Sequence, residues 1–345
     1  MKHIRFFVLS LLLVCFFRGS LLAQSSVQTT LAQGDALFEK KAYSEAIEKY
    51  KEALVVDPVS PKANYKLAYT YYTLRDYTLS EHYTNIGIRQ EDADVAPLFC
   101  DLRATLYLET ERIPQAIDFA KKSLKTYPDR IALQFCLGLA YHKLQDYKNA
   151  EKYTLQVLAQ DPTHKTAHLL LGYLSEARDN NVQAALSFYY FLLLEPDSER
   201  SAPVFELLLQ NLGLAPLPPQ KEGDIPKTRQ PKDDIFAKTA KMLPVFYAQT
   251  QIDDRYKDDA FHCFESVTHS LFKYLYLDDL SKEESYWRTF YVPFFFSIHQ
   301  NNLNTTFCHY IRYQAYIGSY KWVNEHKNEV NTMVDFLNRH INTKK

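Results

Sequence analysis

The sequence predicts an all-α protein in which a solenoid of paired helices precedes a smaller helical bundle. Three observations lead to this fold class. A period of 34 residues runs through the first part of the chain, apolar residues recur at helical spacing, and glycine is scarce, with 8 residues against 26 tyrosines and 22 phenylalanines. A fixed period of this size is typical of stacked repeats, in which each helical pair buries its apolar face against its neighbours.

The period is most regular from residue 150 to residue 162. Each repeat places mostly small or apolar residues at steps of four and three, with a proline five residues further on. The matching sets are Ala46, Tyr50, Ala53 and Pro58; Ala116, Ala120, Ser123 and Pro128; Ala150, Thr154, Val157 and Pro162; and Ala184, Phe188, Phe191 and Pro196. Because proline cannot continue a helix, it marks the end of the second helix of each pair.

The residues before these sets complete a pattern that resembles the tetratricopeptide repeat family: Leu-Gly-x-x-Tyr, then Ala-x-x-x-Phe, Ala and Pro. Leu137, Gly138 and Tyr141 match its first half, and Gly172 stands at the place of Gly138 one repeat later. The resemblance implies an αα-hairpin superhelix. Small residues such as Gly138 and Ala150 suit a close helix crossing, where a larger side chain would cost about 1–3 kcal/mol through overpacking.

Five such repeats and a capping helix are predicted over residues 27–214. The repeats cover about 27–60, 61–96, 97–130, 131–164 and 165–198, and an apolar helix from Pro203 to Leu214 covers the last exposed face. In the second repeat Asp92 stands where proline is expected, and the third repeat begins two residues late. This irregularity predicts a longer loop between the two repeats.

Residues 1–23 have the features of a secretory signal peptide. A positive start is followed by an apolar run from Phe6 to Phe17, and Ala23 precedes Gln24 at a candidate cleavage site. An uncleaved membrane helix is the alternative. A cut ending in Ala before Gln resembles exported proteins of Bacteroidetes-like bacteria, which implies the periplasm or outer-membrane periphery of a Gram-negative cell. Membrane contact is expected only through this segment.

The chain changes character after the repeats. Residues 215–234 contain five prolines among Lys, Asp and Gln, which predicts a linker. Residues 235–345 predict a C-terminal helical domain of four to six helices, which either packs back on the repeat cap or stands apart. In it we expect a helix from Asn304 to Ile317, closed by Gly318, and a last helix from Tyr320 to about Ile341.

Four cysteines remain after signal cleavage, and an even number permits disulfides in an oxidising compartment. Cys100 and Cys136 fall on first helices of neighbouring repeats at different offsets, so we expect them to be buried thiols. Cys263 and Cys308 are a candidate bridge. The sequence leaves open whether that bridge forms.

Composition and motifs argue against several function classes. A formal net charge of −1 shows no bias towards nucleic acid. The chain lacks a Gly-x-Ser-x-Gly elbow, a Walker loop and a zinc-binding spacing, so we expect no catalytic residues, no metal and no cofactor. Within 235–345 the question of an enzyme stays open, with Cys308, His309 and His326 as the groups to examine.

The resemblance also implies a binding surface, because in this family the first helix of each repeat lines a concave groove. Mapping the inward positions onto this sequence gives a mixed aromatic and polar set that suits a peptide or helix. The candidate partner-binding residues are Phe38, Tyr65, Lys66, Tyr69, Tyr72, Asp101, Phe135, His142, Lys143 and Tyr173, with Thr105, Leu139 and Leu169 beside them.

Family members that bind acidic chaperone C-termini use a clamp of Lys and Asn in this groove. The corresponding positions here are Leu31 and Asp35 in the first repeat and Leu98 and Leu102 in the third, so the clamp is absent. The leading hypothesis is therefore a non-catalytic scaffold of the cell envelope that binds some other protein or peptide. A recruited enzyme or glycan-binding module within 235–345 is the alternative, and self-association of the repeats is a third possibility.

Overall fold

A computed structural model describes residues 26–89, 92–215, 235–252, 254, 259–277 and 285–342. The predicted signal peptide and, apart from residue 215, the predicted linker lie outside these residues. Within them all regular secondary structure is helical and no strand occurs. The prediction of an all-α fold is confirmed.

The chain divides into two compact units, Met1–Leu144 and Gln145–Lys345. In the first unit α1 covers 26–39, and the helices that follow are α2 Tyr43–Val56, α3 Pro61–Thr73, α4 Tyr77–Gly87, α5 Ala96–Glu109, α6 Ile113–Thr126 and α7 Ile131–Lys143. Neighbouring helices pack as antiparallel pairs, α3 against α4 and α5 against α6, and α3 also contacts α5. First helices of adjacent repeats therefore lie side by side.

The second unit begins inside the predicted fourth repeat. Its helices are α8 Tyr147–Gln160, α9 Lys165–Glu176, α10 Asn181–Leu194, α11 Ser201–Asn211, α12 Ile235–Thr250, α13 Ala260–Tyr276, α14 Val292–Gln300, α15 Asn304–Ile311, α16 Ile317–Glu325 and α17 Lys327–Asn342, with a π-helical segment Trp287–Tyr291 before α14. The boundary between the two compact units, at Leu144, is not a test of the domain limits expected at 214 and 235, which stay a prediction.

The repeat period is visible in the backbone itself. One residue in each hairpin turn adopts a positive φ, and these residues are Lys41, Arg75, Glu111, Gln145 and Asp179. They stand 34, 36, 34 and 34 residues apart, and the longer interval agrees with the predicted two-residue insertion before the third repeat. A left-handed residue after a helix turns the chain back, as in common helix C-caps.

Two glycines let the helices of a repeat approach closely. A Cβ atom on Gly34 would lie 2.4 Å from Cε1 of Tyr50, and one on Gly172 would lie 2.3 Å from Cε1 of Phe188. Both rings belong to the second helix of the same repeat and are buried. A close helix crossing therefore occurs at these two places as glycine against an aromatic ring, and the crossing expected at Gly138 and Ala150 stays a prediction.

Helix α10 is the centre of the second unit. Its residues from Ala184 to Leu192 are fully buried on every face, which requires packing partners all around it. Besides α9 and α11, it contacts α12, α15 and the π-helical segment. The C-terminal helices thus pack on the last repeat helix rather than standing apart, and the predicted cap α11 covers only part of α10.

Two helix limits predicted in the C-terminal region are wrong. The helix that begins at Asn304 ends at Ile311, and Gly318 is the second residue of α16 instead of a terminator. The predicted last helix is interrupted at His326, where φ is −113° and ψ is 44°. His326 is the C-cap of α16, and both its backbone N–H and its Nδ1 lie 2.9 Å from the Trp322 carbonyl oxygen.

The four described cysteines are buried as thiols, and no disulfide joins them. The candidate bridge between Cys263 and Cys308 is therefore not formed. Oγ1 of Thr250 lies 3.3 Å from Sγ of Cys263, while burial raises the pKa of the Cys308 thiol. Both sulfurs behave as parts of the packed interior.

Candidate functional site

Four aromatic rings of the first unit form a continuous row on the first helices of two repeats. Phe38 on α1 lies 5.7 Å from Tyr69 on α3, measured between ring centroids, and Tyr69 lies 6.1 Å from Tyr65 and 6.3 Å from Tyr72. We call Phe38, Tyr65, Tyr69 and Tyr72 the aromatic row. Tyr69 keeps 42% of its surface exposed, and the other three are half-buried.

The row follows from the spacing of residues on α3. Positions 65, 69 and 72 are four and three apart, so they share one face of the helix. The remaining faces carry Ala63, Leu67 and Ala68, which are buried against neighbouring helices. Tyr69 is therefore left at the surface, while Tyr65 and Tyr72 also pack in part against the buried cluster that contains Ala68 and Phe99.

A groove of about 410 Å³ adjoins the aromatic row in the same unit. It lies between α1, α3 and the segment that leads into α5, and its lining residues are Gln28, Leu31, Ala32, Asp35, Lys62, Tyr65, Lys66, Asp94, Val95 and Leu98. Tyr65 belongs to both the row and the groove, so the two form one surface. Burial raises the pKa of Tyr65 to about 12, and the phenol stays protonated.

Two of the four charged side chains that line this groove, Asp35 and Lys66, neutralise each other. Nζ of Lys66 lies 2.9 Å from Oδ1 of Asp35, and the Tyr50 hydroxyl donates to the same oxygen over 2.7 Å. Leu31 and Leu98, two of the positions at which the resemblance would place the absent clamp, also line the groove. The surface therefore offers apolar area with a few fixed polar atoms.

Asp101 takes part in an internal ion pair. Its carboxylate accepts hydrogen bonds from Arg130, the residue before α7. Burial raises the pKa of Asp101, and the Arg130 guanidinium opposes that rise. Asp101 thus links α5 to the start of α7. Because its carboxylate is engaged in this ion pair, it stabilises the helix packing and is not free to contact a partner.

The other predicted groove residues have separate surroundings. Lys143 pairs with Glu111 over 2.7 Å at the surface, and burial, with some help from Lys143, lowers the pKa of the half-buried His142. Phe135 is half-buried on α7. Tyr173 belongs to the second unit and packs edge-on against Phe188, with centroids 5.7 Å apart. The structure brings Phe38, Tyr65, Lys66, Tyr69 and Tyr72 together into one surface.

The sequence mapping missed two rings that extend the row at both ends. Tyr43 lies 5.2 Å from Phe38, and Tyr77 lies 6.0 Å from Tyr72, again between centroids. The Tyr77 hydroxyl donates to Glu109 over 3.2 Å. Residues 43 and 77 are one repeat apart, so applying the period to the first residue of each second helix could have found them.

The C-terminal candidates do not form a catalytic arrangement. Cys308 is fully buried, and the rings of Phe261 and Trp322 stack on the two sides of His309 at 3.9 and 4.3 Å between centroids. Burial, aided by Arg312, lowers the pKa of His309 to about 4, so the imidazole is neutral near pH 7. These groups pack against rings and do not converge on a cavity.

Among the residues that the structure describes, no cluster of three or more His, Cys, Asp or Glu side chains is arranged to hold a metal ion. Within the described part of the chain, no helix combines the length and the apolar character that a membrane crossing requires.

Two segments of the chain match models of a known repeat family. Residues 34–74 match a TPR repeat model, and residues 131–164 match a tetratricopeptide repeat model. These matches support tetratricopeptide repeats in the first and fourth predicted positions, and repeats of this kind typically mediate protein–protein interaction. A comparison with curated proteins found no match to the chain.

Solved structures give distant likenesses. The chain is similar to pilF of Pseudomonas aeruginosa at 16% identity, covering 56% of this chain and 86% of the other, with a TM-score of 0.49. It is similar to PilW, described as a widely conserved type IV pilus biogenesis factor, at 16% identity. This likeness covers 68% of this chain and 96% of the other, also with a TM-score of 0.49. It is also similar to TTC0263, a TPR protein of Thermus thermophilus, at 20% identity, covering 55% of this chain and 98% of the other, with a TM-score of 0.43. Likenesses this distant do not bear on function.

Proposed function

We propose that this protein is a non-catalytic scaffold whose aromatic row and adjoining groove bind a partner polypeptide. The observation that carries the proposal is the half-exposed row itself. Surface tyrosines on a helix face usually stand singly, whereas here the rings of Phe38, Tyr65, Tyr69 and Tyr72 contact one another and run into a groove. A contiguous apolar surface of this kind is typical of interaction sites.

The chemistry of the surface suits a peptide with apolar anchors. Tyrosine provides a large contact area and loses little conformational entropy on binding, and its hydroxyl can bond a peptide backbone. Leu31, Val95 and Leu98 supply an apolar floor. Of the two lysines at the groove, Lys66 is paired with Asp35, and only Lys62 remains for an acidic tail. We therefore propose that the partner inserts one or two apolar side chains between α1, α3 and α5.

We also propose that the protein acts in the cell envelope. This part of the proposal is supported by the sequence of residues 1–23, with its positive start, its apolar run and its candidate cleavage site after Ala23. Fractionation of cells that produce the full chain, together with the mass of the mature N-terminus, tests it. A mature chain that begins at Met1 and stays in the cytoplasm would contradict the export proposal and leave the groove proposal intact.

The groove proposal is tested by site-specific crosslinking. A photoreactive phenylalanine analogue replaces Tyr69, and the crosslinked peptide is identified by mass spectrometry. The control places the same analogue at Tyr83, which stacks on Tyr71 at 5.7 Å on the second-helix side of the repeat. We expect a partner peptide at Tyr69 that is absent at Tyr83.

A double substitution provides the second arm. Tyr69→Ala with Tyr72→Ala should abolish recovery of the crosslinked partner, whereas Tyr71→Ala with Tyr83→Ala, which also removes two rings, should retain it. Circular dichroism of both variants shows whether folding is preserved. Equal recovery by the two double variants would contradict the proposal. Crosslinks only to a second copy of this chain, with a dimer by light scattering, would indicate self-association instead.

A further inference from the structure

The second unit contains a small cavity that the proposed scaffold function does not use. Its volume is about 270 Å³, close to the lower end of roughly 300 Å³ that is usual for ligand pockets. It lies between α11, α12, α13 and the segment after α15, and its lining residues are Phe205, Leu209, Leu214, Tyr247, Ala260, Cys263, Phe264, Arg312 and Tyr316. All of these belong to one compact unit.

Local structure explains how the cavity forms. Helix α11 ends at Asn211, and Gly213 then takes φ of +73°, which allows the Leu214 N–H to donate to the Leu209 carbonyl over 2.9 Å. This capping arrangement turns Leu209 and Leu214 towards the same space. Asp259 caps α13 through the N–H groups of Phe261 and His262 and thereby fixes Ala260 at the rim.

The cavity contains a buried guanidinium. Arg312 directly follows α15 and keeps only 6% of its surface exposed. Its Cζ lies 4.1 Å from the ring centroid of Tyr316, 5.1 Å from that of Phe261 and 5.6 Å from those of Phe205 and Phe264. Four rings thus surround the cation, and such contacts stabilise a buried guanidinium only in part.

Arg312 has no carboxylate partner among the described residues, unlike four other arginines. Arg112, Arg130, Arg178 and Arg200 each form an ion pair with a carboxylate. Among the described residues no carboxylate lies in ion-pair contact with Arg312, and its Nε is buried without an acceptor. Burial lowers the pKa of this guanidinium, and Tyr316, Cys308 and Asp259 offset only part of that effect.

A buried, unpaired cation is costly unless an anion joins it, because an ion removed from water must be compensated by charge and hydrogen bonds. A single guanidinium matches one carboxylate, to which it donates two parallel hydrogen bonds. A phosphate monoester would bring a second negative charge with no cation to meet it. The walls contributed by Leu209, Leu214 and Phe264 suit a short apolar chain next to that carboxylate.

We propose that this cavity binds a small amphipathic carboxylate, with the carboxylate paired to Arg312 and the apolar part held between α11 and α13. The site is separate from the aromatic row and independent of the partner proposed for it. Binding would also join α11 to the C-terminal helices through a shared ligand, so the occupied protein should be more stable than the empty one.

Calorimetric titration of the full chain with octanoate tests the proposal, with octanamide as the uncharged probe of the same shape. We expect octanoate to bind at least about tenfold more tightly than octanamide, as for one charge-assisted hydrogen-bonded pair. Arg312→Met should reduce octanoate affinity by about tenfold or more and leave octanamide binding unchanged. Arg339→Met, which removes an exposed arginine, is the matched control and should bind like the wild type.

A second variant guards against misfolding of Arg312→Met. Ala260 is exposed at the rim, so Ala260→Trp should fold normally and block both probes. The proposal is overturned if octanoate does not bind to the wild type, if octanamide binds as tightly as octanoate, or if Arg312→Met retains octanoate. Tighter binding of octyl phosphate than of octanoate would overturn the assignment to carboxylates.

Discussion

Two regions of this protein are rich in tyrosine and phenylalanine, but in one the rings form a buried core and in the other they form a partly exposed surface. In the second unit Tyr189 on α10 is fully buried, with the rings of Phe264, Phe272, Phe295 and Phe307 around it. In the first unit the aromatic row lies along a helix face that is only partly covered by neighbouring helices, and Tyr69 stays 42% exposed. Aromatic content alone therefore does not indicate whether a region is a core or a contact surface.

The difference lies partly in the partners of the tyrosine hydroxyl groups. The Tyr189 hydroxyl lies 2.6 Å from the Thr268 hydroxyl, and Nδ1 of His168 lies 2.5 Å from the Tyr291 hydroxyl, so these two buried hydroxyls have partners remote in sequence. The buried hydroxyls of Tyr190 and Tyr286 have no hydrogen-bond partner among the described residues. Most buried polar groups have such partners, whereas surface hydroxyls can bond water or a ligand. A row of tyrosines that leaves its hydroxyl groups available is suited to binding.

The largest effect is expected from removing a ring at the centre of the buried region. Tyr189→Ala should lower the free energy of unfolding by about 3–5 kcal/mol, because a fully buried aromatic ring and its hydrogen bond to Thr268 are both lost. Both tryptophans, Trp287 and Trp322, lie in the second unit, so urea denaturation followed by fluorescence reports on it. A loss below about 1 kcal/mol would show that α10 is not the core.

A smaller loss is expected where a glycine permits helix contact. Gly172→Ala places a Cβ 2.3 Å from the buried Phe188 ring, so the ring or the helix must move. We expect a cost of about 3 kcal/mol, at the upper end of the range for overpacked cores.

Gly318→Ala is the matched control for this change. Nothing lies within 4 Å of the added Cβ in α16, so the unfolding free energy should stay the same or rise by up to about 1 kcal/mol through helix propensity. Equal effects of the two substitutions would contradict the close crossing of α9 and α10.

The pH dependence of stability should report on the buried region of the second unit. Burial lowers the pKa of His168 to about 3 from the ordinary 6.5, and its Nε2 lies 2.9 Å from the Pro162 carbonyl oxygen. The unfolded chain therefore binds a proton that the folded chain does not. The contribution is complete above about pH 6.5 and is lost as the pH falls towards 3.

Between pH 7 and pH 5 the loss from His168 should be about 2 kcal/mol. Burial also lowers the pKa of His142, His299 and His309, so the wild-type slope contains their contributions as well. His168→Phe should be less stable at pH 7 but show a flatter slope. A slope unchanged from the wild type would mean that His168 does not titrate as described.

The sequence predicted the helical hairpins well because their determinants are local. Small residues, an aromatic residue and a proline at fixed steps specify one hairpin, and the same pattern recurs in each repeat. The sequence also predicted the two-residue insertion, which is seen in the longer interval between the turn residues Arg75 and Glu111. It predicted the core of the second unit less well. Contacts such as Tyr189 with Phe307 join residues more than a hundred positions apart, and no local period encodes them.

The candidate site was predictable to a similar extent. The family resemblance pointed to Phe38, Tyr65, Tyr69 and Tyr72, which the structure brings together, but it gave no sign that Asp101 is held by Arg130. Likewise, nothing in the sequence around Arg312 indicates that rings from α11 and α13 surround it. Such groups are recognisable only when elements distant in sequence are placed side by side.

The smallest effect on stability is expected at the aromatic row, and it is the sharpest test of the comparison. Tyr69→Ala removes a ring that already has much of its surface in water, so the free energy of unfolding of the first unit should fall by about 1 kcal/mol or less. Hydrogen exchange of peptides from α1, α3 and α5 measures this locally, because the tryptophans report only on the second unit. A loss of the size expected for Tyr189→Ala would mean that the row is a structural core and not a surface held open for a partner.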